Sequence, residues 1–224
     1  LVLDAARDAS RTTGVGIGII IAANRTRHPL DARTLARLAA QYAGRGVVGF
    51  GLSNDERRGR PQEFARGFAI AHRAGLLSVP HGGELLGPES VRSCLDDLRA
   101  HRLGHGVRSA EDPALLDRIA AAEVPLEVCP ASNLALGVYL DGADVPLRQL
   151  YDAGAPLALG ADDPLLFGVR LVGQYAFARE HGFGDAELAE LARMSVRASA
   201  APTDVAKDLL TRIDGWLSEP ARPA

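Results

Sequence analysis

Six short apolar runs, each closed by turn residues and followed by a segment of helical spacing, constrain this chain more than any other feature. They are Val15 to Ala22, Val47 to Leu52, Leu76 to Pro80, Arg102 to Gly104, Leu126 to Cys129 and Leu157 to Ala161. Such alternation builds βαβ units and a parallel sheet. The runs are almost wholly apolar, as strands covered on both faces must be. Between them the spacing predicts helices over 31–42, 61–74, 88–99, 113–122 and 146–153. Pro61 suits a first helical position, Phe64, Phe68 and Ala71 share a face, and Gly75 and Gly154 stand where helices stop. Further helices are expected near 169–181, 185–199 and 203–217, with Asp185 and Thr203 as caps of the last two. The opening Leu1 to Arg7 reads as amphipathic helix.

A closed (β/α)8 barrel needs eight such units and typically about 250 residues. This chain has 224 residues and six units. The expectation is therefore an α/β barrel of the (β/α)8 TIM type lacking its first two strand-helix units, because the helices after the sixth run read as a completed carboxyl terminus. An open doubly wound sheet is the competing architecture, and six strands suffice for it. Polar residues follow four separate runs, whereas an open sheet gathers its site at one switch point, and this favours the barrel. No fixed-period repeat or linker interrupts the chain, so residues 1–224 read as one domain with a frayed tail from Pro220 to Ala224. The first residue is Leu1 rather than Met, and an upstream portion is expected.

With 47% hydrophobic residues and a net charge of -3, the chain can bury a large core and is not built to bind nucleic acid. No apolar stretch reaches the roughly 18 to 20 residues of a membrane-spanning helix. Cys94 and Cys129 are too few for a disulfide framework and lack metal-binding spacing, which points to a reducing cytoplasm. Cys129 reads as a buried structural thiol, since no His adjoins it. Gly14, Gly16 and Gly18 alternate within the first apolar run and so do not form a dinucleotide loop, which sits between strand and helix.

The chemistry lies directly after the runs. In His81-Gly82-Gly83-Glu84 the two glycines let the chain turn so that a ligand and an acid face one cavity. His105 stands between Gly104 and Gly106, where an exposed imidazole has little packing purpose. Asp162 and Asp163 are adjacent carboxylates, costly to bury together unless a cation or a donor occupies each. Asp163-Pro164 also fits a helix cap with proline at N1. Asp55-Glu56-Arg57-Arg58 reads either as a solvated charge run or as support for the site. One His and one Asp able to hold a metal, with a carboxylate and a second His beside them, suit hydrolysis by activated water.

These clusters, together with Leu126-Glu127-Val128-Cys129-Pro130-Ala131-Ser132-Asn133 and Ala161-Asp162-Asp163-Pro164-Leu165-Leu166-Phe167, resemble in order and spacing the signatures of the adenosine deaminase family of the amidohydrolase superfamily. The resemblance implies a zinc-dependent barrel of the metallo-dependent hydrolase type that replaces the 6-amino group of an aminopurine nucleoside with oxygen. It makes His81 and Asp162 zinc ligands and lets Glu84 share a proton with purine N1. His105 then orients the attacking water. Asp163 hydrogen-bonds purine N7, and Gly83 joins it among the substrate-binding positions.

Two departures accompany the match. The amino-terminal His-x-His that supplies two further zinc ligands is absent from these residues, and His28 does not match a ligand position. Gly51-Leu52-Ser53-Asn54-Asp55-Glu56 replaces the Asp-Leu-Ala-Gly-Asp-Glu typical of adenosine-specific members and resembles relatives acting on aminodeoxyfutalosine, an adenine nucleoside of menaquinone synthesis. Adenosine and aminodeoxyfutalosine are thus the expected small-molecule partners, with a free base as a further option. The competing reading is a catalytically inactive barrel fragment whose exposed strand edges lead it to pair with another chain or into a homo-oligomer.

Overall fold

Strands that begin where apolar runs escape their glycines organise the protein, whose structure, a computed structural model, describes residues 1–219. The expected tail from Pro220 to Ala224 lies outside the described residues. Two compact units divide the chain, Leu1–Leu115 and Leu116–Ala224.

The first unit opens with helix α1 (Val2–Thr13), then β1 (Ile19–Asn24), α2 (Pro29–Gln41), β2 (Val47–Ser53), α3 (Ala65–Arg73), β3 (Leu77–Gly82), α4 (Pro88–Asp96) and β4 (Leu103–His105). Its four strands lie in sequence order, and each successive pair is parallel. Asn24 pairs with Ser53, Leu52 with Pro80, and Gly82 with His105, so the residues after each strand emerge along one edge. Phe50, Leu52, Val79 and Leu103 are buried in these strands, and Phe64, just before α3, and Phe68, within it, are buried as well. Phe50 and Phe68 meet edge to face at 5.1 Å. Each such side chain contributes about 1.5–3 kcal/mol by leaving water. Ala32, Ala36 and Ala39 line the buried face of α2, and its close approach to α3 brings Gly67 against the Ala32 carbonyl.

The second unit contains most of α5 (Pro113–Ala121), then β5 (Leu126–Val128), α6 (Pro130–Ala135), α7 (Leu147–Asp152), β6 (Leu157–Leu159), α8 (Pro164–Phe167), α9 (Leu171–Glu180), α10 (Asp185–Ala198) and α11 (Thr203–Ser218). Strands β5 and β6 are parallel, with Leu126 opposite Leu157 and Val128 opposite Leu159. Arg148 ties α7 to α10: it pairs with Glu187 at 2.5 Å, donates to the Gly182 carbonyl and lies 3.8 Å over the Phe183 ring. That guanidinium holds the Glu187 carboxyl down at about 2.

Three expectations need correction. The first strand starts at Ile19 rather than Val15, because Gly14 closes α1 in a left-handed conformation and Ile19 is the first residue paired with β2. The alternating glycines therefore precede the strand instead of lying within it. Asp185 and Thr203 are first helical residues, not caps. Gly184 caps α10, and its N–H donates to the Glu187 carboxylate at 2.8 Å. Over 61–74 the first turn, Pro61–Phe64, is a 3-10 helix before α3 begins. Gly75 and Gly154 are left-handed, as helix stops require. Among the described residues no helix is long and apolar enough to cross a membrane, and the Cys94 and Cys129 thiols are buried. Burial pushes the Cys94 thiol up to about 12.

Candidate active site

In the first unit the ends of β3 and β4 bring three of the expected site residues together. The His81 and His105 rings meet edge to face at 5.0 Å. His105 Nε2 stands 3.6 Å from Glu84 Oε1, and both residues are buried, at 3% and 9% exposure; His105 is thus not the exposed imidazole its glycine neighbours suggest, because it ends β4 beside β3 with its ring against His81. Gly104 pairs with His81 across the ladder, and a Cβ there would lie 2.3 Å from the imidazole Cδ2. A larger residue would drive the His81 ring away. Gly83 turns the chain at φ 73°, and a Cβ there would meet Val91 at 2.4 Å. The Gly83 carbonyl accepts from Arg108 N and the Gly82 carbonyl from Gly106 N, both at 2.9 Å, which locks the two strand ends to each other.

His105 is itself left-handed at φ 64°, and so are Asn54 at φ 77° after β2 and Asp162 at φ 54° after β6. Such backbone costs of order 1–3 kcal/mol for a non-glycine residue and is found where side chains are aimed for function.

In the second unit Asp162 and Asp163 follow β6 and are exposed. Ser132 at the start of α6 donates its hydroxyl to Asp162 Oδ2 at 2.6 Å and so fixes that carboxylate. Asp163 Oδ1 accepts from Leu165 N at 2.9 Å and Leu166 N at 3.0 Å. The helix-cap role expected of Asp163-Pro164 is therefore real, and it occupies one of the two oxygens. Cys129 is buried as expected, 5% exposed. His28 caps α2, its Nδ1 accepting from Leu30 N at 3.1 Å.

Three residues to which the sequence reading gave no settled role hold this site in place. Glu56, left open between solvated and supporting, is 3% exposed. Its Oε1 accepts from Gly83 N at 2.6 Å, and its Oε2 from Glu84, Leu85 and Leu86 N at 3.0, 2.7 and 2.8 Å. Ser90 adds its hydroxyl. Arg25, 1% exposed, donates to the carbonyls of His81 at 2.5 Å and Gly59 at 3.3 Å. Burial pulls its guanidinium down, while Cys94, Glu56 and Glu84 act against that. Ser132 is the third, lying inside a quoted motif without an assigned role.

The sequence profile of the adenosine deaminase family matches residues 1–216. The chain belongs to the adenosine deaminase family. A Streptomyces coelicolor relative, provisionally named adenosine/adenine deaminase, is 67% identical over 218 residues, 97% of this chain and 64% of that protein. An adenine deaminase of Agrobacterium fabrum is 39% identical over 213 residues, 95% of this chain and 66% of the other. The crystal structure of an adenine deaminase from Arthrobacter aurescens superimposes with a TM-score of 0.90 at 31% identity, covering 96% of this chain and 66% of that one. This adenosine deaminase family chain thus spans about two thirds of the length of the proteins it matches. Its fold is that of the (β/α)8 barrel, of which the described residues carry six strands.

Proposed function

We propose that the whole protein carrying this chain removes the 6-amino group of an adenine ring by hydrolysis, giving the 6-oxo purine and ammonia. The observation that carries this reading is the buried approach of Glu84 to His105 at 3.6 Å, an acid beside a base at two neighbouring strand ends. Glu84 gives a proton to ring N1, which makes C6 electrophilic. His105 orients the water that adds there and takes up a proton as the C–O bond forms. The amino group then leaves as ammonia with the proton that His105 took up, the proton of the C6 hydroxyl returns to Glu84 as the 6-oxo group forms, and the proton on N1 stays in the product. Asp163 shares a proton with N7 through the oxygen not used to cap α8, and Gly83 borders the base.

By the family resemblance, His81 and Asp162 are the residues that would hold a zinc ion. An imidazole and a carboxylate are donors that zinc takes, and Ser132 orients the carboxylate as outer-shell partners do. They fit in kind and fall short in number, since a catalytic zinc takes three or more protein ligands. The rest would come from the whole protein. When bound, the ion supplies the Lewis acidity that makes water a nucleophile near neutral pH. Asp162→Ala is expected to lower the zinc content of the whole protein from about one per chain to below about a tenth, read by elemental analysis. Unchanged content would remove Asp162 from the ligand set.

Adenine heads the candidate substrates, because the Agrobacterium and Arthrobacter proteins are named for it. Adenosine and aminodeoxyfutalosine follow, since the loop from Gly51 to Glu56 departs from the adenosine-specific pattern and places Asn54 in a left-handed conformation. The deciding experiment compares kcat/KM on the three. A preference of about tenfold or more for adenine identifies a free-base enzyme. The reverse order returns the nucleoside reading, and no ammonia from any of them overturns the proposed activity.

A further inference from the structure

We propose that Glu56 is a positioning residue of this site, whose carboxylate sets the orientation of the Gly83–Leu86 turn and through it the Glu84 side chain, without touching substrate itself. For the reaction it serves, the proposal rests on the deaminase reading above. For the cradle it rests on geometry alone.

Five donors converge on one carboxylate: the consecutive backbone N–H groups of Gly83, Glu84, Leu85 and Leu86, and the Ser90 hydroxyl. A carboxylate, with about four lone-pair sites and no donor of its own, suits such a set. A carboxamide would turn an NH2 group towards N–H groups. The four backbone donors lie ahead of α4, which begins at Pro88, and Ser90 stands in its first turn, so the carboxylate ties the pre-helix turn to the start of the helix. One of the four N–H groups belongs to Glu84, so a tilt of the turn moves the acid directly. Opposite it, Arg25 donates to the His81 carbonyl. The two buried side chains therefore fix the backbone on either side of the Gly82–Gly83 bend, the Arg25 guanidinium by donating to the His81 carbonyl and the Glu56 carboxylate by accepting from the 83–86 amides. Proton transfer tolerates little error in placement, and a shift of about 1 Å can cost about 10²-fold in rate.

The test uses the whole natural protein with Glu56→Gln, Glu56→Asp and Ser90→Ala. It measures kcat and KM on adenine and adenosine, the melting temperature, and amide hydrogen exchange over residues 83–86. Glu56→Gln is expected to lower kcat about 10²-fold with KM changed less than about threefold. Glu56→Asp restores the charge and should recover part of that kcat. Ser90→Ala removes one donor of five and is expected to cost about three- to tenfold in kcat. Exchange at 83–86 should quicken in each variant, while the strands stay protected. A Glu56→Gln enzyme with kcat within about threefold of the parent would overturn the proposal. So would a rate loss that only follows the folded fraction. If Glu56→Gln does not fold, Ser90→Ala decides: unchanged kcat and unchanged exchange at 83–86 sink the idea, and changes in both sustain it. Should the parent deaminate neither of these nor aminodeoxyfutalosine, the deaminase reading fails by itself, and the exchange arm alone still rules on the cradle.

Discussion

Glu84→Gln in the whole protein is expected to lose about 10²–10⁴-fold in kcat while an unreactive purine analogue binds within about threefold of the parent affinity. The substitution keeps the side chain's shape and removes its transferable proton. A carboxamide NH2 can still donate a hydrogen bond to ring N1, so recognition of the base survives. It cannot leave a proton on N1, so C6 keeps its electron density and water finds no electrophile. The fold offers little room for a confounding collapse, because the bonds from this turn to Glu56 involve the backbone N–H of Glu84 and not its side chain. Ammonia release measures the first quantity and analogue titration the second. More than about a tenth of the parent rate in the variant would take the acid role away from Glu84. A parallel loss of analogue binding would instead make it a substrate anchor.

His81, Glu84 and His105 were legible in the sequence because each follows directly on an apolar run, and the ladder then does the placing. His81 pairs with Gly104 and Gly82 with His105, so two motifs 23 residues apart arrive side by side. The residues that hold them were not legible, for a physical reason: their partners are remote in sequence. Glu56 reaches 27 to 34 residues forward, Ser132 reaches 30 and Arg25 reaches 56. A charge after a strand looks the same whether it turns to water or to buried amides 30 residues on. The cap errors have a more local origin. Asp185 and Thr203 have the chemistry of caps but sit one position inside their helices, and at α10 the backbone N–H of the glycine cap is satisfied by Glu187 reaching back. The late start of β1 shows the limit of hydropathy, since Val15 and Ile17 are apolar but the glycine-spaced segment has no ladder partner before Ile19.

Arg25→Met is expected to destabilise the protein by about 3–5 kcal/mol, the loss usual when one member of a buried charged set is removed. Two effects oppose each other. Burying a guanidinium is costly, as the lowered proton affinity of Arg25 records, and methionine would bury its stem without that cost. Against this, Arg25 donates to the Gly59 carbonyl and to that of His81, which also accepts from Cys94 Sγ, and an acceptor that loses a buried donor costs about 1–3 kcal/mol. The substitution also removes a cation whose charge acts on the buried Glu56 carboxylate. Neither acceptor is easily relieved by a backbone shift, because a Cβ on Gly59 would lie only 2.3 Å from the Arg25 carbonyl, so the two loops are already in contact. The donor term therefore wins. Urea unfolding with an unchanged slope reads the difference as a change in midpoint, and a loss below about 1 kcal/mol would show that these carbonyls find other donors. Combining Arg25→Met with Glu56→Gln isolates the charge component, since the double variant carries no uncompensated ion. Its cost should fall short of the sum of the two single costs by about 1–3 kcal/mol, whereas strict additivity would mean that Arg25 acts through its carbonyl bonds alone and that the two charges hold their halves of the bend independently.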